Sequence, residues 1–483
     1  MEESKNSNME NSYNLGRVIL LSTAAALGGF LFGFDSGVIN GTVDALQLAF
    51  NSAAAVTGFN VASVLLGSMV GAFFAGTLAD KFGRKPVMIA TAIAFIISAW
   101  GSGIAGGSLE FVVYRIIGGM AMGAASIIAP AYISEIAPSN IRGRLATLQQ
   151  LMIVIGLFMA FMSNYWLAGM SGGASEILWG GFATWKWMFW AEILPASIFF
   201  FSLLAIPESP RYLVAAGDVD EAGQVLKSIS PMADIKAKVA DIKSTLQGGM
   251  KPKLKNIISN YTGKVHPLVW VGLGLAILQQ FTGINVIFYY GATLWKAAGF
   301  TEADALLQNV ISGSVNIFFT FVAIMLIDKV GRKPLLLVGS LGQAVMLGVM
   351  AYIFSTAPGG SADSLTLGPT QGTLALVAAN AYIAFFAFSW GPVMWVMLGE
   401  MFPNHYRGAA LAVCGMAQWG ANFLITISFP VLLSALGLGV SYGIYALFGV
   451  VAYFFVKIFV KETKGLTLED ISRSEVEREQ AAL

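Results

Sequence analysis

Twelve runs of apolar residues alternate with polar gaps along the chain: 17–41, 56–79, 86–105, 111–133, 145–168, 187–206, 266–291, 306–327, 335–355, 372–399, 409–429 and 439–460. A run of about 20 apolar residues, rising 1.5 Å per residue, crosses the ~30 Å hydrocarbon core of a bilayer as a helix. Most gaps are short, as antiparallel neighbours require. The exception, 207–265, splits the runs into two sets of six. The expected organisation is a tail (1–16), a six-helix half (17–206), a linker (207–265), a second six-helix half (266–460) and a tail (461–483). Within the linker, Val225, Leu226 and Ile229 recur about one helical turn apart, and Pro207, Pro210, Pro231 and Pro252 interrupt the stretch. That pattern predicts short amphipathic helices at the membrane surface, serving either as a latch across the halves or as a plain connector.

Composition agrees with the pattern. Of 483 residues, 56% are hydrophobic and 11% charged, against about 25% charged in a globular protein. The chain is therefore read as an all-α integral membrane protein. A net charge of +1 excludes the basic face that a nucleic-acid partner needs. One cysteine, Cys414, excludes a disulfide framework, and His266 and His405 lie too far apart to make a metal site alone. The first sixteen residues carry Glu2, Glu3 and Glu10 against Lys5. They lack the basic start and cleavage site of a signal peptide, so a short retained tail is expected. With both ends cytoplasmic, all but three of the 28 Lys and Arg fall on the inner side or at inner helix ends; Lys186, Lys296 and the intramembrane Arg115 are the exceptions. This asymmetry orients the chain.

The halves repeat one another. DKFGRKP at 80–86 and DKVGRKP at 328–334 differ at one position, and the stretch from Glu135 to Gly143 is echoed from Glu400 to Gly408. Duplicated six-helix halves are a transporter arrangement, with substrate held between them near the midplane. Asp80, Glu135, Asp328 and Glu400 fall at helix C-termini, where the macrodipole disfavours an anion; Arg142 and Arg407 open helices, where it disfavours a cation. Together with Arg84 and Arg332 of the repeat, they are expected to form cytoplasmic salt bridges, made when the inner side is closed and broken when it opens. Lys81, Lys85 and Lys333 are read as orientation signals only.

Within the spans, Asp35, Arg115 and Glu192 are charged. A charge at a helix centre costs about 2.5–3.5 kcal/mol on insertion scales, so it faces a cavity or a partner. Two readings stand: a static Asp35–Arg115 pair, or a proton site in which Asp35 takes up a proton, loosens from Arg115 and releases it on the other side. Uncharged amides also recur in four spans of both halves. Gln150, Gln279, Gln280, Asn285, Asn316, Gln418 and Asn422 stand among aromatics such as Tyr289, Tyr290, Trp395 and Trp419. Paired donors and acceptors beside apolar faces suit a neutral polyol; the alternative is interhelical glue at about 0.6 kcal/mol per bond. A break at Gly283 would bring Gln280 and Asn285 together. Gly67/Gly71, Gly119/Gly123 and Gly28/Gly33 are read as close-packing positions. No phosphate-binding loop occurs, so any uphill energy comes from an ion gradient. No cofactor, metal or catalytic constellation is expected.

GFDSGVING (33–41), DKFGRK, YRIIGG (114–119), EIAPSNIRGR, PESPRYL (207–213), QQFTGINVIFYY (279–290), DKVGRK and SWGPVMWVMLGEMFPNHYRG (389–408) stand in order along the chain. In these pieces it resembles the sugar porter family of the major facilitator superfamily, and within it the bacterial xylose–proton and glucose–proton symporters. KETKG (461–465) looks like the family's PETKG without its proline. The resemblance implies the twelve-helix major facilitator fold. It also implies sugar contacts at Gln150, Gln279, Gln280, Asn285, Asn316, Trp395 and Gln418, and a pocket lined by Phe32. Tyr289 and Tyr290 would close the pocket from outside, and Asp35, Arg115 and Glu192 would form a proton-coupling network. Passive facilitators carry Asn where this chain has Asp35, which favours symport. Leu157 stands where the xylose symporter has a second glutamine, which favours a hexose such as glucose. The expected partners are a monosaccharide, protons and the lipid bilayer, for a monomer in a bacterial inner membrane. A passive uniporter and a sugar-sensing receptor are the competing readings; the short tail expected after the last span speaks against the receptor.

Overall fold

The computed structural model describes residues 14–138, 142–231, 234–248, 254–258, 263–357, 367–403 and 406–464. These form α1 (Leu15–Val38), α2 (Val43–Ala49), α3 (Ala54–Phe82), α4 (Arg84–Ile104), α5 (Ser108–Ile136), α6 (Arg142–Ser171), α7 (Thr184–Trp190) and α8 (Ile193–Ala205). After them come the linker helices α9 (Pro210–Ala216), α10 (Val219–Ile229) and α11 (Ile235–Gly248). The second set is α12 (Pro267–Phe281), α13 (Ile284–Ala297), α14 (Glu302–Val330), α15 (Arg332–Thr356), α16 (Pro369–Phe385), α17 (Gly391–Met401) and α18 (Arg407–Phe459).

Eleven of these stretches are long and apolar enough to cross a membrane. The last, α18, has 53 residues, about 80 Å of helix and more than twice a bilayer core. Its backbone leaves helical geometry at Gly437 (φ 75°, ψ 174°), so it is two spans in tandem and the described residues cross twelve times. Side chains such as Leu194, Ile198 and Phe201 on α8, or Phe318 and Met325 on α14, are exposed. A water-facing surface would not carry so continuous an apolar girdle; it faces lipid.

Small residues set the closest approaches. A Cβ at Gly67 would lie 2.2 Å from the Ile116 carbonyl oxygen, and one at Gly119 would lie 1.9 Å from that of Val64. The α3–α5 contact therefore admits no side chain at either position, as the glycine spacing predicted. The repeated motif folds identically in both copies. Gly83 (φ 101°) ends α3 and Gly331 (φ 102°) ends α14, each in a backbone region that disfavours a Cβ. A Cβ there would also strike Glu208 Oε2 at 2.3 Å or Glu462 Oε2 at 2.7 Å.

The linker helices follow the sequence signals. Ser209 accepts from the Tyr212 N–H ahead of Pro210, and Asp218 accepts from that of Glu221. Helix α10 buries Ala222, Val225, Leu226 and Ile229 on one face. Asn14 N donates to Ile229 O at 2.8 Å, Tyr132 Oη donates to Pro207 O at 2.9 Å and Tyr212 Oη to Lys81 O at 3.3 Å. These bonds seat the linker's first part under the first six spans.

Candidate functional site

Three spans are interrupted, and polar side chains gather at the interruptions. Helices α7 and α8 separate at Ala191–Glu192, and α12 and α13 at Thr282–Gly283 with Gly283 at φ 82°. A five-residue π-turn, Phe386–Trp390, joins α16 to α17. Local departures of this kind free side chains and backbone groups from the uniform helical lattice.

The charged group lies in the first set of spans. Arg115 Nη1 contacts Asp35 Oδ1 directly, both side chains being all but inaccessible. Its Nη2 approaches the Asp35 carbonyl oxygen at 3.4 Å, and the guanidinium lies 5.7 Å from the centre of the Phe189 ring. Glu192 is fully buried, interacts electrostatically with Asp35 and Arg115, and has both carboxylate oxygens without a hydrogen-bond partner. Asp35 Oδ2 is likewise unpartnered. Two carboxylates thus face one guanidinium. Fully ionised, the group holds an uncompensated buried negative charge, which binding one proton removes.

The amides lie in the second set. The break at Gly283 places Asn285 Nδ2 on Gln280 Oε1 although the two are five residues apart. Gln280 Nε2 donates to Gln279 Oε1 at 3.0 Å, and Gln279 Nε2 to the Trp390 carbonyl oxygen at 2.8 Å. Gln418 Nε2 reaches Gln279 Oε1 at 3.4 Å while its own Oε1 is unpartnered. Asn422 Nδ2 stands 3.5 Å from Tyr289 Oη, and Asn422 Oδ1 accepts from Thr426 Oγ1 at 3.1 Å; Tyr290 Oη donates to Thr426 O at 3.0 Å. Phe32 meets the Trp419 ring at 5.7 Å between centroids, bringing an aromatic of the first set against this chain of amides. Asn316 is buried on α14 and Gln150 half-buried on α6. Leu157 is buried too. Trp395 is 40% exposed, whereas Trp390, which the sequence reading passed over, is fully buried, with Nε1 donating to Leu336 O at 3.1 Å and Ser340 Oγ at 2.9 Å. Gln149, next to Gln150, is buried with both amide atoms unpartnered.

Twin ion networks occupy the face at which α1 begins and α18 ends, called here the terminal face. Arg84 pairs with Asp80 at 3.2 Å and Glu135 at 2.9 Å, while Glu208 accepts from the Arg84 and Lys85 N–H groups at 3.1 Å each. Ser209 Oγ donates to Glu135. Arg332 pairs with Asp328 at 3.0 Å and Glu400 at 2.8 Å, and Glu462 accepts from the Arg332 and Lys333 N–H groups at 3.0 Å each. Thr463 Oγ1 donates to Glu400 at 2.6 Å. Arg407 Nε donates to Phe402 O at 3.0 Å. Arg142 opens α6 but its side chain lies outside the described residues, as does all of His405. The described ion pairs of this face each join residues of a single half.

The opposite face is different: there the halves are joined. Asn40 Nδ2 donates to Phe288 O at 2.9 Å, while its Oδ1 accepts from Ala292 N at 3.0 Å and Asn309 Nδ2 at 2.6 Å. Asp44 accepts from Thr293 Oγ1 at 2.7 Å and pairs with Lys296 at 2.8 Å. Glu302 accepts from Ala174 N at 2.8 Å. This clasp was missed from the sequence, although Lys296, one of two cations misplaced by the orientation rule, was its signal.

Comparisons with known proteins agree on one family. The family model described as "Sugar (and other) transporter" matches residues 21–474. The chain is 48% identical to a glucose transport protein of Synechocystis over 463 residues, covering 96% of this chain and 98% of that one. It is 38% identical to the D-xylose-proton symporter of Escherichia coli, covering 96% of each. The solved inward-open structure of the xylose transporter of E. coli superposes with a TM-score of 0.79 at 37% identity, over 95% of this chain and 99% of that one.

Proposed function

This chain belongs to the sugar transporter family of the major facilitator superfamily and carries sugar across a membrane, and from that premise we propose proton-coupled import of a hexose by alternating access. It is a multi-pass membrane protein; in our reading it works as a monomer in a bacterial inner membrane, with the terminal face cytoplasmic. The observation that carries the coupling is the buried Asp35–Arg115–Glu192 group, whose two carboxylates outnumber its one cation. A proton taken up by Asp35 removes the surplus charge and frees Asp35 from Arg115, whose charge is then balanced by Glu192. Leaving the group, it restores the pair.

Sugar recognition is assigned to the amides. Gln279, Gln280, Asn285 and Gln418 are linked to one another by hydrogen bonds, with Gln418 Oε1 left over as an acceptor. Sugar hydroxyls, donors and acceptors at once, replace those amide–amide bonds without leaving a buried group bare. Phe32 and Trp419 supply an apolar face. Gln150, Asn316 and Trp395 are further contacts in this reading, and Tyr289 and Tyr290 close the pocket on the side away from the terminal face. The buried Leu157 and the 48% identity to a glucose transport protein support a hexose. The clasp of Asn40, Asp44 and Lys296 closes the outer side, consistent with the likeness to an inward-open structure.

The test is labelled glucose uptake into proteoliposomes with and without an inward proton gradient. Wild type should accumulate glucose above equilibrium. Asp35→Asn should lose accumulation and keep exchange. Uptake in wild type that ignores the gradient would make this a passive facilitator, with Asp35–Arg115 a static pair.

A further inference from the structure

The segment joining α6 to α7 is an ordered hairpin with an apolar tip. Its strands bridge at Ile177 and Ala183. Leu178 N donates to Phe182 O at 2.9 Å, Thr184 N to Glu176 O at 2.8 Å and Trp185 N to Ala174 O at 2.9 Å. Gly180 (φ 66°) and Gly181 (φ 78°) make the turn. A loop facing water carries polar residues at such a tip. Here Ile177 is 69%, Trp179 48% and Phe182 45% exposed.

The tip is held rigidly against the membrane-spanning wall. Trp179 meets Trp187 at 5.4 Å, Trp187 meets Trp190 at 5.0 Å and Phe182 meets Trp190 at 5.2 Å, all edge to face. Both indole N–H groups at its root are used inward: Trp187 Nε1 donates to Trp179 O and Trp190 Nε1 to Trp100 O, each at 3.1 Å. Trp100 is itself exposed on α4, and Leu194 and Ile198 continue the exposed apolar surface along α8. The hairpin's apolar tip is therefore continuous with the surface that faces lipid.

We propose that this hairpin is a membrane-interface anchor, with Ile177, Trp179 and Phe182 seated among the lipid headgroups of the leaflet opposite the terminal face. Aromatic side chains favour that layer, where an apolar ring and a wet edge are both accommodated. A saccharide platform is the weaker occupant, because the rings meet edge to face and leave no broad stacking surface. The anchor also reaches the clasp: Ala174, at the hairpin's base, donates to Glu302 on α14. Lipid thereby holds one end of a contact that joins the two halves.

The experiment is a nitroxide label on Ile177→Cys in the full chain, reconstituted in phosphatidylcholine–phosphatidylglycerol vesicles. The native Cys414 is buried, so labelling is confined to the introduced thiol, and the exposed Ile177 side chain gives up little packing. Collisions with molecular oxygen, which concentrates in lipid, are compared with those with a water-soluble nickel chelate. Labels on Leu194→Cys and Asp220→Cys supply the lipid and water references. The expected result is an oxygen-to-nickel ratio near that of Leu194→Cys. A ratio like that of Asp220→Cys overturns the proposal, and so does low access to both reagents, which would place a second protein chain on the tip. A second measurement needs no label: Trp179→Ser with Phe182→Ser should lower the thermal midpoint in vesicles by several degrees, and an unchanged midpoint overturns the anchor.

Discussion

The two ion networks of the terminal face share a sequence motif and a bonding pattern, yet their carboxylates behave in opposite ways. Glu208 and Glu462 each accept from the first two N–H groups of a helix far back in the chain, α4 or α15. Burial is the largest influence on both. For Glu208 burial prevails over bonds from Ser209, Lys85 and Arg84, and its pKa is raised. For Glu462 the backbone N–H groups of Lys464, Arg332, Lys333 and Thr463 together prevail, and its pKa is lowered. The difference comes from what covers them. The first copy lies under the linker, with the Arg84 guanidinium 5.9 Å from the Tyr212 ring, whereas the second lies at the more open end of α18. Local sequence sets the bonds; the covering elements set how much each charge costs.

Removing the arginines should break the likeness most. The Glu135 side chain is 8% exposed and that of Glu400 31%. Arg84→Ala strands the more buried acid and should cost about 3 kcal/mol, the range for an orphaned buried charge. Arg332→Ala should cost about 1–2 kcal/mol, since water reaches Glu400. Thermal unfolding of both variants in the same lipid measures the gap; equal losses would mean that burial does not separate the two networks.

A smaller effect separates the glutamates. Glu462→Gln gives up charge-assisted bonds from four N–H groups and should lose about 1 kcal/mol at neutral pH. Glu208→Gln should lose less, or gain, because burial already disfavours its charged form. The reverse order would mean that the covering linker does not control the first copy.

The smallest effect is in the pH dependence. A lowered folded-state pKa gives Glu462 a contribution present above its ordinary value of 4.5 and lost as pH falls through the lowered value. The deficit of Glu462→Gln should therefore shrink in acid. Glu208, with its pKa raised from 4.5, contributes stability below that value that fades as pH rises through the raised one. Thermal midpoints from about pH 3 to pH 8 should give difference curves of opposite slope for the two variants, that of Glu462→Gln changing below pH 4.5 and that of Glu208→Gln above it.

Much of the fold could be read from the sequence, and the site only in pieces. The spans were legible because lipid requires an unbroken apolar run. Glycine spacing showed where α3 and α5 approach, since a helix repeats its face every three to four residues. The amide contact of Gln280 with Asn285 followed from a local break at Gly283. The joining of Asn40 to Phe288, Ala292 and Asn309 did not, because nothing along the chain relates an outer end of the first half to the seventh and eighth spans. Trp390 and Trp395 stand in one motif, and only the structure shows that the first is fully buried and the second 40% exposed. Glu208 and Glu462 sat in quoted motifs without a role, for their partners are the backbone N–H groups of distant helix starts.

The sequence alone determined what the solvent enforces: twelve spans, two matching halves, the charged residues within the membrane and the family. Each is written locally, since an apolar stretch or a motif means the same wherever the chain carries it. Only the tertiary structure decided which charges meet, that two carboxylates share one arginine, which face is clasped, and that two copies of one motif hold unlike glutamates. Those properties depend on distance and burial between segments far apart in the chain, and electrostatic energies turn on both.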